Sequence, residues 1–427
     1  MRQIFACGLA IAASLALLSP AFAQPTNFTT RSRYNSVMST LEWPAARVTA
    51  FTRGLQDKAP KAQEPDATSQ QTSPSDKVQT VEGQPLKNAA DCGAPGSTSY
   101  FDSKAACNTG CCGSNWVLGI YGLAFRRDYE DDVGLSAVPS NLSQYLNSTS
   151  AKMGTMGGIE TVLSRRGCDG CGCEIRYWGL YPDQESAYLN GAYTNLTGLS
   201  QVEFGGFPVS QIFNNGSISH WVYRDNTFNN LEFNCLRCIG TTDCGSRSWE
   251  WLAGFRYFAF DEHLRYANFS QNPNYPPSLY YDLDSQNDLY GFQVGVRTTH
   301  CVCNGFGVEF GTKIGVYDNH VEASQSIHDG NQAFAEFSTG PFAGTDYAAD
   351  SSKDDLAMLG ELNLGLTYQL SCNWRIAAGY RALGVSGVAL APDQIPNNFS
   401  DRDDVCRIKS NGSLILHGSY FGVEHSF

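Results

Sequence analysis

The chain has 427 residues, with 29 Lys and Arg against 42 Asp and Glu, a formal charge of −13. That balance excludes a basic nucleic-acid binder, because neutralising phosphates needs clustered Lys and Arg. With 42 Gly, 12% aromatic residues and only 17% charged, the chain suits many strands joined by tight turns, in two or three ordinary domains or one large all-β unit.

Residues 1–23 read as a secretory leader. Met1-Arg2 is a basic start, Ile4 to Leu18 an apolar core, and Ala21-Phe22-Ala23 a small-x-small cleavage site before Gln24. Cys7 lies inside that apolar core, which does not support a lipoprotein anchor. No later stretch reaches the ~18 uninterrupted apolar residues of a spanning helix. Cys7 leaves with the leader, so an even number of the 15 cysteines remains, as full pairing in an oxidising compartment requires.

Residues 24–112 form a tether followed by a Cys-rich stretch. To about residue 91 the composition is Gln, Ser, Thr, Pro and Lys-rich, as in Lys58-Ala-Pro-Lys-Ala-Gln-Glu-Pro-Asp66. Such a segment buries too little apolar surface to offset its ordering entropy, and disorder is expected. One short amphipathic helix near Ser36–Gln56 fits the pattern.

From 113 to 427 the periodicity is two. Near 248–260, Trp249, Trp251, Phe255 and Tyr257 oppose Glu250 and Arg256. In the next segment Tyr290, Phe292, Val294 and Val296 oppose Gln293, Arg297 and Thr299, and after it Phe306, Val308, Phe310, Ile314 and Val316 oppose Glu309 and Lys313. The clearest run is 356–370, where Leu356, Met358, Leu362, Leu364 and Leu366 face away from Glu361, Asn363, Thr367 and Gln369. Trp374, Ile376, Ala378 and Tyr380 oppose Arg375 and Arg381. Alternate residues of a strand point to opposite faces, so each strand is greasy on one face and polar on the other.

Ten segments are expected, near 116–126, 153–164, 173–181, 230–236, 248–260, 288–299, 305–317, 355–370, 373–386 and 412–427. The connections after odd-numbered segments run roughly 24 to 48 residues and those after even-numbered ones roughly 2 to 11, the parity of an outer-membrane barrel. A hairpin of Gln201–Phe213 with Ile218–Phe228 inside the longest gap could raise the count to twelve. The expected fold is all-β, an antiparallel transmembrane β-barrel in the outer membrane, in contact with its lipid. The last segment closes on Gly418-Ser-Tyr-Phe-Gly-Val-Glu-His-Ser-Phe427, with Phe421, Val423 and Phe427 on one face. A terminal aromatic there resembles the assembly signal of bacterial outer-membrane barrels, which implies the barrel-assembly machinery as a partner through Phe427.

Trp249-Glu-Trp-Leu-Ala-Gly-Phe-Arg-Tyr257, Asn287-Asp-Leu-Tyr-Gly-Phe-Gln-Val-Gly295, Leu359-Gly-Glu-Leu-Asn-Leu-Gly365 and Ala378-Gly-Tyr-Arg-Ala-Leu383 with Gly387-Val-Ala-Leu-Ala391 resemble the β-barrel porin family of planctomycetes, porin type seven. The likeness spans about 113–427. It implies an outer-membrane barrel without enzymatic chemistry or cofactor, and does not itself demonstrate transport.

Two sets of side chains carry candidate roles. Glu250, Arg256, Arg297, Glu309, Lys313, Glu361, Arg375, Arg381 and Glu424 face the lumen on this register. Mixed signs fit either a selectivity lining or a salt-bridge ladder that fills the interior, and ten strands favour filling. The second set is Cys92, Cys107, Cys111, Cys112, Cys168, Cys171, Cys173, Cys235, Cys238, Cys244, Cys301, Cys303 and Cys372, all before the first strand or beside short turns; only Cys406 falls in a long loop. Disulfides stapling that end are expected, with zinc held at Cys168, Cys171 and Cys173 or at Cys235 and Cys238 as the competing reading.

Other features carry less. The acidic runs Asp128–Asp132 and Asp401, Asp403, Asp404 read as solvated charge rather than calcium sites, so no metal is expected. Asn-x-Ser/Thr occurs at Asn141, Asn147, Asn195, Asn215, Asn268 and Asn398, each placed in a long loop. No phosphate loop, Ser elbow or nucleophile–base spacing supports an enzyme. Two functions therefore compete: a structural or surface-exposed barrel with a narrow or filled lumen, and a diffusion porin for small solutes.

Overall fold

The chain divides by compactness into Met1–Lys87 and Asn88–Phe427. The computed structural model describes residues 115–427 apart from 129–131, 153, 168–169, 182–183, 216, 242–246, 304 and 372. The leader, the tether with its Ser36–Gln56 helix, Cys92, Cys107, Cys111, Cys112, Cys168, Cys244 and Cys372 lie outside the described residues.

Ten long strands make the ring of the main sheet: β1 (Asn115–Asp128), β2 (Met156–Arg166), β3 (Cys171–Leu180), β4 (Ser217–Thr241), β5 (Arg247–Ser270), β6 (Ser278–Cys303), β7 (Phe306–Asp329), β8 (Ala348–Gln369), β9 (Trp374–Val388) and β10 (Gly412–Ser426); an eleventh, short strand, Glu185–Asn190, pairs antiparallel with Ser219–Arg224 of β4. Each of the ten pairs antiparallel with its sequence neighbours, and β10 pairs with β1, so the pairing runs in a ring. A transmembrane barrel is built this way, because it leaves no sheet edge in lipid. Among the described residues no helix is long and apolar enough to cross a membrane.

Alternation sets the two faces. On β6, Phe292 is 76% exposed while its neighbour Gln293 is 2% exposed. Leu362, Leu364 and Leu366 of β8 and Phe421 of β10 likewise stand on the exposed outer wall. Inward glycines let tyrosines lie flat across the lumen: the Tyr317 ring covers Gly291 and Gly315, where a Cβ would collide with it.

The short connections, 167–170, 242–246, 304–305 and 370–373, share one end with the start of β1 and the finish of β10. There Phe427 N–H donates to Trp116 O at 2.9 Å and Ser426 N–H to Asn373 O at 2.9 Å. The other end carries 129–155, 181–216, 271–277, 330–347 and 389–411.

Three expectations change. Strands β4 to β8 run to 22–26 residues, against the ~10 a tilted strand needs to cross a bilayer. They consume much of what the sequence assigned to long loops, so the connection after β5 shrinks to 271–277 and that after β7 to 330–347. Among the described residues the expected hairpin does not form: Ile218–Phe228 is the upper part of β4 and pairs with Glu185–Asn190 instead, while 201–213 forms the small strands Val202–Phe204 and Phe207–Pro208 and the helix Val209–Asn214. The ring stays at ten strands. Asn268 sits within β5 and is buried, not in a loop.

At the long-loop end the connections fold over the barrel. Val202–Phe204 pairs with Glu336–Phe337 of a different loop, and Gly134–Val138 pairs with Tyr193–Thr194. Beneath these pairings lies an apolar core that includes Leu199, Ile212, Phe213, Tyr266, Tyr281 and Phe399.

Candidate functional site: the barrel interior

All nine sequence-predicted lumen charges are ion-paired inside the ring, with five partners the sequence reading did not single out: Glu160, Arg166, Glu174, Arg176 and Glu232. Nearest the short-turn end, Arg375 meets Glu309 at 3.0 Å and also Glu424, to which Tyr121 donates its hydroxyl. Across the barrel Arg166 meets Glu250 at 3.0 Å, and Arg297 bridges Glu250 and Glu174 at 3.4 and 3.0 Å.

The next layer is more enclosed. Arg256, fully buried, pairs with Glu361 at 2.9 Å and approaches Glu232 at 3.8 Å. Lys313 reaches both carboxylates, at 2.9 Å to Glu232 and 2.8 Å to Glu361. Arg381 pairs with Glu160 at 2.7 Å, and Arg176 spans Glu160 and Glu174 at 2.5 and 3.3 Å. Gln293 donates to Glu232 at 2.8 Å and to Asn234 at 2.9 Å, using acceptors the cations leave over.

The layer is balanced: seven carboxylates (Glu160, Glu174, Glu232, Glu250, Glu309, Glu361, Glu424) and seven cations (Arg166, Arg176, Arg256, Arg297, Lys313, Arg375, Arg381), each in at least one pair. Burying charge is costly unless it is paired and hydrogen-bonded. A closed ladder of this kind meets the pairing part of that condition, although Arg176 Nε and Arg256 Nη2 are buried without a hydrogen-bond partner. A cavity of about 30 Å³ remains beside Arg176, Arg297, Lys313 and Glu361, room for one or two waters.

Above the ladder an apolar plug fills the lumen. Trp178 stands 6.2 Å from Phe125 and 6.0 Å from Phe258, ring centre to ring centre, and Phe228 stacks on Phe260 at 4.9 Å. Over it, Glu262 takes Arg127 at 3.0 Å and also Arg224, and accepts the Ala391 N–H at 3.1 Å. Burial pushes the Glu262 carboxyl up, but the Arg127 and Arg224 guanidiniums outweigh it and hold it at about 2.

The loop cap is clamped at His220. Its Nε2–H donates to Phe213 O at 2.9 Å, which leaves Nδ1 to accept from Ser136 at 2.8 Å or Tyr266 at 3.1 Å. Both ring nitrogens are thus used by a neutral ring in a dry pocket, and burial lowers its pKa to about 4. Ser136, His220 and Tyr266 are all buried, so this Ser–His contact ties loop to strand rather than presenting a nucleophile.

The described cysteines separate as the sequence suggests. Cys171, Cys173, Cys235, Cys238, Cys301 and Cys303 lie near the short-turn end, though inside strands rather than turns, and Cys406 caps the helix Arg402–Val405 at the opposite end. Among the described residues no group of three or more His, Cys, Asp or Glu is arranged to hold a metal. Asp401 caps that same helix through the Asp403 N–H at 3.0 Å, and Asp404 is buried, accepting the Asn397 and Asn398 N–H groups at 2.9 Å each. Of that acidic run, Asp404 is therefore not solvated charge.

The sequence profile of the family "Putative beta barrel porin-7 (BBP7)" matches residues 163–427. The chain belongs to this porin-7 family. It is an outer-membrane β-barrel protein. No curated protein matches its sequence. Solved structures similar to it include the outer membrane protease OmpT from Escherichia coli, 8% identical, covering 74% of this chain and 96% of that one with a TM-score of 0.38. A major outer membrane protein from Thermus thermophilus is 9% identical, with 73% and 99% covered and a TM-score of 0.29. An anion-selective porin from Comamonas acidovorans is 9% identical, with 74% and 100% covered and a TM-score of 0.18.

Proposed function

We propose that this porin-7 family member is a non-conducting, non-enzymatic barrel that anchors a folded loop cap at the cell surface. The observation that carries this is the balanced ladder of buried ion pairs lying under the aromatic plug. An ion crossing the lumen would have to break pairs in a low-dielectric interior and then pass packed rings. Even strand number puts both ends of the barrel on the short-turn side, which we assign to the periplasm together with residues 24–112. The long-loop cap then faces outward, where loop partners of unassigned chemistry would meet it. Exported behind a leader at residues 1–23, the chain would be inserted by the assembly machinery through the strand that ends at Phe427.

The family description favours the second reading, a diffusion porin. Planar-bilayer recording of the purified full chain separates the two. The expected trace is flat; a steady open conductance on the nanosiemens scale would establish the porin and discard the anchor.

A further inference from the structure

We propose that Cys173 and Cys235 form a cross-strand disulfide that locks β3 to β4. The two residues are direct register partners in the antiparallel β3–β4 pair. Directly opposed residues of such a pair have Cα atoms about 4.5–5.5 Å apart, inside the 4.4–6.8 Å window of disulfides. Alternation puts both side chains on one face: Glu174, Arg176 and Trp178 of β3 and Glu232 and Leu236 of β4 are turned inward, so the odd-numbered Cys173 and Cys235 share the outer wall.

The seam is one where a link matters. β3 is only 10 residues long and pairs with β4 over 228–237, the strand Glu185–Asn190 continues that seam against 219–224, and the 181–216 segment separates β3 from β4 in sequence. A covalent link there closes a long loop in the unfolded chain, the case in which a disulfide stabilises most. This differs from the turn-to-turn staples expected from the sequence, since the bridge lies within a ladder.

The chemistry balances by exchange with a protein disulfide of a thiol oxidoreductase met during export, before lipid covers the wall. The thiolate of one cysteine attacks that disulfide and expels a carrier thiolate. The thiolate of the other then displaces the carrier from the mixed disulfide. The carrier leaves as a dithiol, holding the two electrons and two protons given up by Cys173 and Cys235.

The test is peptide mapping of the full-length protein purified from outer membranes after alkylation of thiols, without reduction. A peptide pair joined through Cys173 and Cys235, separating on reduction, is the expected result. Cys173→Ser should then leave Cys235 alkylated in the same map. Finding both residues alkylated in the wild-type chain, or either joined to a different cysteine, overturns the proposal. The wild-type map decides even if the variant does not fold.

Discussion

A single strand, β6, shows two halves of the molecule built on opposite rules. Below Tyr290 its outward residues are Phe292, Val294 and Val296, all exposed, and its inward ones include Gln293 and Arg297, which join the polar ladder. Above Tyr290 the outward residues are Asp284, Gln286 and Asp288, and the inward ones are Leu279, Tyr281 and Leu283, all buried. Tyr290 stacks on Tyr257 at 4.9 Å where the two regimes meet, as aromatic residues do at a membrane boundary. The solvent outside decides. Lipid gives the lower half no hydrophobic reason to fill its interior with apolar groups, so pairing fills it. Water around the upper half restores the ordinary apolar core.

The largest expected effect is in the lower half. Arg256→Ala would leave Glu232 and Glu361 sharing Lys313 in a closed space, and breaking a buried pair costs about 3–5 kcal/mol. Thermal loss of the compact band in unboiled gels measures it; a cost below about 1 kcal/mol would mean that the ladder is hydrated.

Next comes the outer wall. Val294→Arg, in the exposed apolar run below that boundary, should cost about 2–4 kcal/mol, as an arginine facing the bilayer midplane does. Gln286→Arg, eight positions up the same face and still able to donate to Asp288, should stay within about 0.5 kcal/mol. Equal costs at the two sites would remove the boundary from Tyr290.

The inversion also explains what the sequence could and could not reveal. The pattern in β6 is legible from Tyr290 on, where Tyr290, Phe292, Val294 and Val296 alternate with polar residues. Upstream, Leu279, Tyr281 and Leu283 keep the period but occupy the odd positions, so the apolar phase flips at Leu289–Tyr290. A reader following one phase starts the strand at 288 and assigns ten ordered residues to a loop. The ladder was legible where a charge sits in a long clean alternation, as with Glu361 or Arg381. Glu174 and Arg176 lie beside three cysteines in the short β3, and Glu232 stands among asparagines, so their alternation is shorter and easily passed over. Which charges meet could not be read at all, because Arg381 and Glu160 lie on strands that only the ring closure brings near.

A smaller effect belongs to the upper half and depends on pH. His220 falls from an ordinary 6.5 to about 4 in the fold, so protonation favours the unfolded or uncapped state. Its contribution is fully present above pH 6.5 and is lost as the pH falls through 4. The full shift corresponds to roughly 3 kcal/mol. Limited proteolysis of the 181–216 connection should therefore accelerate near pH 4 while the lower barrel stays heat-resistant. Acceleration only when the whole barrel unfolds would show that cap and barrel are not separable units.

The smallest effect has the opposite sign and sits just above the boundary. Asp261 lies on the outer wall of β5, and burial, with Asp288 and Asp225 nearby, pushes its carboxyl up from 3.8 to about 7. A raised carboxylate pKa means the folded state holds the proton longer than the unfolded one. Stability then declines as the pH rises from about 4 to about 7, and stays lower beyond it. Asp261→Asn removes that decline. Asp261 is half-buried, with its Oδ1 enclosed and without a hydrogen-bond partner; with part of the residue screened by solvent, the gain should be on the order of 1 kcal/mol at pH 8 and vanish at pH 4. Melting curves of both forms at the two pH values give the difference directly. A variant that is less stable at pH 8 would mean that the ionised carboxylate stabilises the fold there, and would overturn this reading.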